Sequence, residues 1–160
     1  MIFAIFANSN DAGDAVSELK ADGYDNISII TRNNNGGVKE TNADDMPPVA
    51  EGAATGAVVG GIAGLLAGVA GLAIPGIGPL FIVGPLAASW GITGAALGAL
   101  TGGLVAALTS SGVPEEIAIG YEERIKTGDV LVSVDTDSED DDVQAILESH
   151  GAEEVITTDK

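Results

Sequence analysis

Between Gly52 and Pro114 this 160-residue chain contains no Asp, Glu, Lys, Arg or His. The stretch is dense in Gly, Ala, Leu, Ile and Val, while the segments on either side are short, charged and patterned like a soluble α/β domain. So long an uncharged run has to be withdrawn from water, and the way it is withdrawn decides the architecture. Apolar residues make up 46% of the chain but aromatics only 4%, and 23 residues are glycine. That is too little aromatic bulk for one large conventional core.

The flanking segments repeat one plan. Ile2 to Ala7 reads as a buried strand. Asn8-Ser9-Asn10-Asp11 supplies helix-capping side chains, and Ala12, Ala15, Val16 and Leu19 follow at helical spacing. Gly23 is placed to end that helix in a left-handed turn, and Asn26 to Thr31 forms a second strand. At the far end, Asp129 to Val134 alternates like a strand, with Val130, Val132 and Val134 on one face. Ser138, with Asp141 three residues on, starts a helix in capping-box fashion; Val143, Ile146 and Leu147 are its buried stripe. Gly151 ends it, and Glu154 to Thr157 is the last strand. Adding 128 to Leu19, Gly23 and Ile27 gives Leu147, Gly151 and Val155, and adding it to Ile2, Ala4 and Phe6 gives Val130, Val132 and Val134. Two β-α-β copies in register predict an α+β fold with a ferredoxin-like sandwich, split by the uncharged stretch.

Within that stretch Gly52, Gly56, Gly60, Gly64 and Gly68 recur every fourth residue, as do Gly94, Gly98 and Gly102. Glycine disfavours a helix in water by about 1 kcal/mol per residue relative to alanine. Where water is excluded it lets two helices approach closely, so these glycines are the expected oligomer interface. Gly52 to Ile74 and Pro85 to Ser111 are each long enough to cross a hydrocarbon layer of about 30 Å, which predicts a helical hairpin. Its tip, from Ile74 to Pro85, contains Pro75, Gly76, Gly78, Pro79, Gly84 and Pro85 and no polar side chain. Irregular backbone there needs protein cover, so tips are expected to bury against neighbouring copies. Pro114 to Lys126 reads as an amphipathic elbow: Pro114 at the first helical position, Glu115 and Glu116 in the first turn, Ile117, Tyr121 and Ile125 as the apolar stripe. The organisation expected is therefore residues 1–46 as the first half plus linker, 47–113 as the hairpin, and 114–160 as the elbow and second half.

Charge and composition exclude several classes. Six basic residues against 24 acidic ones, a net charge of −18, cannot neutralise a row of phosphates, which argues against a nucleic-acid partner. They also oppose attraction to anionic headgroups, so contact with a lipid bilayer would be hydrophobic. Without cysteine there is no disulfide framework, zinc ribbon or thiol chemistry. The apolar start, Met1 to Ala7, is too short and lacks the positive leader of a signal peptide. Arg32, Lys39, Arg124 and Lys126 flank the insertion on one side, which favours the cytoplasmic side of a membrane, or the cytoplasm for a large assembly.

Four blocks carry a resemblance: Ala73-Ile74-Pro75-Gly76-Ile77-Gly78-Pro79; Gly84-Pro85-Leu86-Ala87-Ala88; Gly112-Val113-Pro114-Glu115-Glu116 with Tyr121-Glu122; and Gly128-Asp129-Val130-Leu131-Val132. Together they resemble a family of bacterial and archaeal general-stress and low-temperature-induced proteins. The resemblance implies a stress-linked, membrane-associated protein with no recognised catalytic residues.

Chemistry is sparse. The acidic run Asp135 to Asp142 offers oxygen ligands for Ca²⁺ or Mg²⁺ but lacks the glycine and terminal glutamate of an EF-hand loop, and acids also suit a helix start. His150, at a helix end, is expected on terminal carbonyls rather than in catalysis. Asn8 to Asp11 are explained by capping, and no phosphate loop is present. Trp90 and Tyr121 are candidate interface anchors. No catalytic, cofactor or metal site is expected, and the chain reads as no enzyme. The leading expectation is a non-enzymatic, self-associating, membrane-associated stress-type protein whose partner is itself and, through the hairpin, the bilayer. The alternative is a soluble homo-oligomeric filament, tube or shell with the hairpins as a dry interior. A pore is the third, and the absence of a polar stripe counts against it.

Overall fold

Ile2–Phe6 (β1) is apolar at every position, and in the computed structural model of the chain all five residues are fully buried. A strand with no alternation has no face to give to water, so the sheet that holds it must be covered on both sides. The structure describes residues 1–32, 72–74, 78–90, 103–136 and 140–158. In chain order, β1 is followed by α1 (Ser9–Ala21), β2 (Ile27–Arg32), β3 (Leu72–Ile74), β4 (Gly78–Val83) and α2 (Pro85–Ser89). Then come α3 (Gly103–Ser110), α4 (Glu115–Thr127), β5 (Val130–Val134), α5 (Asp141–Ser149) and β6 (Glu154–Thr157).

The fold is mixed α+β. Six strands form one sheet in the order β3-β4-β2-β5-β1-β6, with every neighbouring pair antiparallel. β5 lies between β1 and β2, with Val132 opposite both Ala4 and Ile29. On one face, α1 and α5 bury Ala12, Ala15, Val16, Leu19, Val143 and Leu147 against Ile2, Ala4, Phe6, Ile27, Ile29, Val130, Val132 and Val134. The 128-residue repeat is visible here: Leu19 and Leu147 share this core, and Gly23 and Gly151 both leave their helices at positive φ, 95° and 84°. The local signals behind these elements are in place. The Asn8 side chain accepts from the Asn10 N–H at 2.9 Å to cap α1. Helix α5 begins two residues later than the capping-box reading places it, because Asp140, not Ser138, is its N-cap, accepting from the Val143 N–H at 3.3 Å. Pro114 likewise caps α4 from outside the helix, and Glu115 is the first helical residue.

The opposite face is covered by α4 together with helices from the uncharged stretch. Phe3, Ile5, Ile30 and Leu131 of the sheet meet Leu80 and Ile82 of β4, Leu86 of α2, Leu104 and Leu108 of α3, and Ala118, Tyr121 and Ile125 of α4. Two expectations about the hairpin are corrected here. Leu72–Ile74, read as the end of a first helical arm, is strand. The second arm is not one helix: α2 stops at Ser89, and α3 starts at Gly103 with φ of +77°, a left-handed conformation foreign to a continuous α-helix. At 1.5 Å per residue α2 and α3 are about 8 and 12 Å long, against the roughly 30 Å of a hydrocarbon core. No helix among the described residues is long and apolar enough to cross a membrane.

The tip is corrected as well. Read as irregular backbone awaiting cover from other copies, it contains β4, which pairs with β2 from Ile29↔Val83 to Arg32↔Leu80, and with β3 from Leu72↔Leu80 to Ile74↔Gly78. The chain thus satisfies much of this backbone internally. The reason is local. Leu80-Phe81-Ile82-Val83 is a four-residue run of strand formers between Pro79 and Gly84, and it meets an edge that β2 would otherwise leave open. Pro79, which has no N–H to give, lies just past the last pair with β2.

Candidate functional site: the base of the insertion

The junction between β4 and α2 is a close backbone approach. Gly84 has φ of 108°, and a Cβ there would lie 2.3 Å from the Ile27 carbonyl oxygen and 2.6 Å from Ser28 Cα and Oγ. Only glycine satisfies both the dihedral and the space. Gly84 brings no side chain to cap α2 and Pro85 brings no N–H, so the cap comes from a neighbouring strand: buried Ser28 Oγ accepts from the Leu86 N–H at 2.9 Å.

A second junction lies where α3 rejoins the head. Trp90 Nε1 donates to Ser111 Oγ at 2.9 Å, joining the end of α2 to the end of α3. The Ser111 carbonyl accepts from Thr158 Oγ1 at 3.2 Å, and Thr158 exchanges backbone bonds with Met1 at 2.8 and 3.0 Å. Trp90 is therefore held within its own chain. Tyr121 is fully buried in the core, which corrects its reading as an interface anchor. Among the described residues Ile119 is the one large hydrophobic side chain that is exposed.

Arg32 lies at the third junction, where the chain leaves β2. Its Nη1 donates to the Lys126 carbonyl at 2.6 Å, at the C-terminal end of α4, where a cation is favoured. Nearby, Arg124 bridges Asp129 and Glu153, both at 2.6 Å, and Lys126 pairs with Glu122 at 2.7 Å. Two buried side-chain atoms among the described residues have no hydrogen-bond partner: Arg32 Nε and Tyr121 Oη. Burial, then the charge of Glu154, pushes the Tyr121 phenol well above its ordinary value, with Arg124 opposing. For Arg124, burial disfavours the charge, but the bonds to Asp129 and Glu153 outweigh it and raise its pKa.

The acidic end of the molecule is separate. Tyr24 donates to Asp140 Oδ2 at 2.9 Å, and that bond, followed by partial burial and the charges of Asp140, Asp142 and Asp22, raises its pKa. An open groove of about 390 Å³ runs between Asp22, Tyr24, Asp142, Ala145 and Ile146. No three acidic or histidine side chains among the described residues converge on a metal position. His150 is not on helix-end carbonyls: its Nε2 lies 2.5 Å from Glu18 Oε2, tying α5 to α1.

Of the residues expected at an oligomer interface, Gly52, Gly56, Gly60, Gly64, Gly68, Gly94, Gly98 and Gly102 lie outside the described residues, as do Pro75 and Gly76 of the tip. Gly78 and Pro79 are in β4, and Gly84 and Pro85 are the β4–α2 junction. Ser28, Ser111 and Arg32 were not singled out as site residues by the sequence. A serine set between Ile27 and Ile29 was the available signal for the first. Comparison with known proteins finds no matching family model, curated protein or solved structure.

Proposed function

We propose that this is a non-enzymatic, self-associating, membrane-associated stress-type protein, in which a ferredoxin-like head holds an uncharged glycine-repeat insertion that packs on copies of itself. The strand order β2-β5-β1-β6 with α1 and α5 on one face supports the ferredoxin-like reading of the head. The observation that carries the function is where the insertion is held. Arg32 and Leu72 both lie opposite Leu80, so the chain leaves the sheet at Arg32 and returns two strands away, about 10 Å at ordinary strand spacing. Arg32 and Leu72, the described residues that flank the sequence carrying the Gly52 to Gly68 repeat, thus lie near one another on an acidic head. The likeness of the Ile-Pro-Gly-Ile-Gly-Pro block to stress proteins supports the same reading.

The soluble assembly is the second reading, and one observation favours it: β4, from the expected hairpin tip, and α2, from the start of the expected second arm, are packed on the head. Expression without detergent, with negative-stain imaging of the soluble and membrane fractions, separates the two. Protein that stays with membranes through an alkaline wash supports insertion, whereas regular particles in the soluble fraction support the assembly. Replacing Gly60 and Gly64 with Leu is expected to abolish oligomers while the head stays folded. Unchanged particle size in that variant rejects glycine packing.

A further inference from the structure

The sheet ends in two unlike edges. At one edge β3 is three residues long and is followed in the sequence by Pro75. A strand so short, stopped by a proline, offers little for another chain to pair with. At the other edge is β6, Glu154-Val155-Ile156-Thr157, with three β-branched residues in a row and neither proline nor lysine. Among the described residues β6 pairs with β1 alone. That ladder fixes which way its backbone points. Thr158 and Met1 exchange bonds at 2.8 and 3.0 Å, and the register continues through Ile2↔Thr157, Phe3↔Ile156 and Ala4↔Val155. Bonded and non-bonded pairs alternate in an antiparallel ladder. Val155 and Thr157 therefore turn their N–H and C=O groups away from β1, toward the open edge.

We propose that β6 is a self-pairing edge: two copies of the chain join antiparallel through it, about a twofold axis at Ile156, into one continuous sheet. The choice of partner rests on the self-associating reading above, but the contact is separate from glycine packing. The register follows from the residues. With Ile156 opposite Ile156 of the second copy, Val155 meets Thr157 and Glu154 meets Thr158. Both outward N–H groups of each copy then find a carbonyl, as in strand addition generally, and no carboxylate opposes another. Centring the pair on Glu154 instead sets two carboxylates directly opposite, which is destabilising. The side chains fit the same partner. Val155 packs against the core under α1 and α5, Ile156 packs against the core on the other face, and both are only partly buried. A neighbouring strand covers the two at once. The opposing term is the net charge of −18 on each copy, so salt strengthens the contact.

The chain has no cysteine, so an introduced one reports on its own position. In this register the two Ile156 Cα atoms form a non-bonded pair about 4.5 Å apart, within disulfide reach. The two Glu154 Cα atoms are four residues out of step, about 13 Å, although that side chain is the more exposed. The full-length chain carrying Gly60→Leu and Gly64→Leu, which removes glycine packing, takes Ile156→Cys or Glu154→Cys and is treated with a thiol oxidant. Ile156→Cys is expected to become a covalent dimer, more completely in about 1 M than in about 0.1 M salt, where the Debye length is about 3 rather than about 10 Å. Glu154→Cys is expected to stay monomeric. Equal or greater dimerisation of Glu154→Cys, or no dimer from either, overturns the edge. Val155→Pro added to Ile156→Cys removes an outward N–H and spares the ladder with β1, so the dimer should be lost; a dimer that persists also overturns the proposal. Circular dichroism follows the head, and should Val155→Pro not fold, the two cysteine variants decide alone. Glycine packing is read separately, from particle size in the cysteine-free chain with and without Gly60→Leu and Gly64→Leu. Particles unchanged by those substitutions beside an Ile156-specific dimer reject the glycine contact and keep the edge; particles lost without such a dimer do the reverse.

Discussion

One face of the sheet is covered by α1 and α5, each joining two strands that lie close in sequence. The other is covered by α2, α3 and α4, two of which come from the uncharged stretch. The first core has a helix stripe against alternating valines, with caps at Asn8 and Asp140. The second depends on a glycine approach, a cap borrowed from Ser28, and a buried phenol with no partner. The comparison teaches that one sheet carries two layers of unequal quality. Among the described residues, the two buried side-chain atoms without a partner, Arg32 Nε on β2 and Tyr121 Oη on α4, both belong to the second side of the sheet.

Core truncations test that difference most severely. Leu19→Ala or Leu147→Ala should each lower global stability by about 2–5 kcal/mol, as for buried leucines generally, in a single cooperative urea transition. Leu104→Ala or Leu108→Ala should instead release the second layer first, seen as dye-binding apolar surface while α1 and α5 keep their amide protection. One coincident transition in all four variants breaks the comparison. Ser28→Ala comes next. It leaves the Leu86 N–H buried without an acceptor, a loss of about 1–3 kcal/mol, and hydrogen exchange at α2 should rise before any change in α1.

Tyrosine ionisation sharpens the same contrast at smaller cost. Both tyrosines have raised pKa values, so the fold holds their protons more firmly than the unfolded chain does. This contribution is fully present below the ordinary phenol value of 10.0 and is lost as the pH rises above it. For Tyr121 the fall is at most about 1.4 kcal/mol per pH unit. Tyrosinate absorbance should show Tyr121 ionising only with unfolding. Tyr121→Phe removes that part of the alkaline loss and, by deleting an unpaired buried hydroxyl, should be neutral or stabilising by up to about 1 kcal/mol. A large destabilisation of Tyr121→Phe would mean that the hydroxyl has a partner.

The first core was legible because its signals are local: capping side chains, helical spacing, alternating valines and the 128-residue offset. The all-apolar β1 also announced cover on both faces, but nothing in β1 names the segment that provides it. β4 was hidden by its neighbours. Three prolines and three glycines between Ile74 and Pro85 suggest irregular backbone, yet four consecutive strand formers lie among them and a vacant edge at β2 selects them. Ser28 and Gly84 are 56 positions apart, and neither residue alone shows that one caps the helix the other begins. His150 was placed correctly at a helix end but given the wrong partner, because Glu18 comes from the other half of the repeat.

The interleaving of the two halves has a consequence for synthesis. β1 pairs only with β5 and β6, and β5 fills the gap between β1 and β2. A ribosome therefore extrudes β1, β2 and the whole uncharged stretch before the strand that unites them exists. Until Val130–Val134 emerges, the nascent chain has no completed sheet on which to lay its most insoluble part, and such delays are when chaperones are recruited.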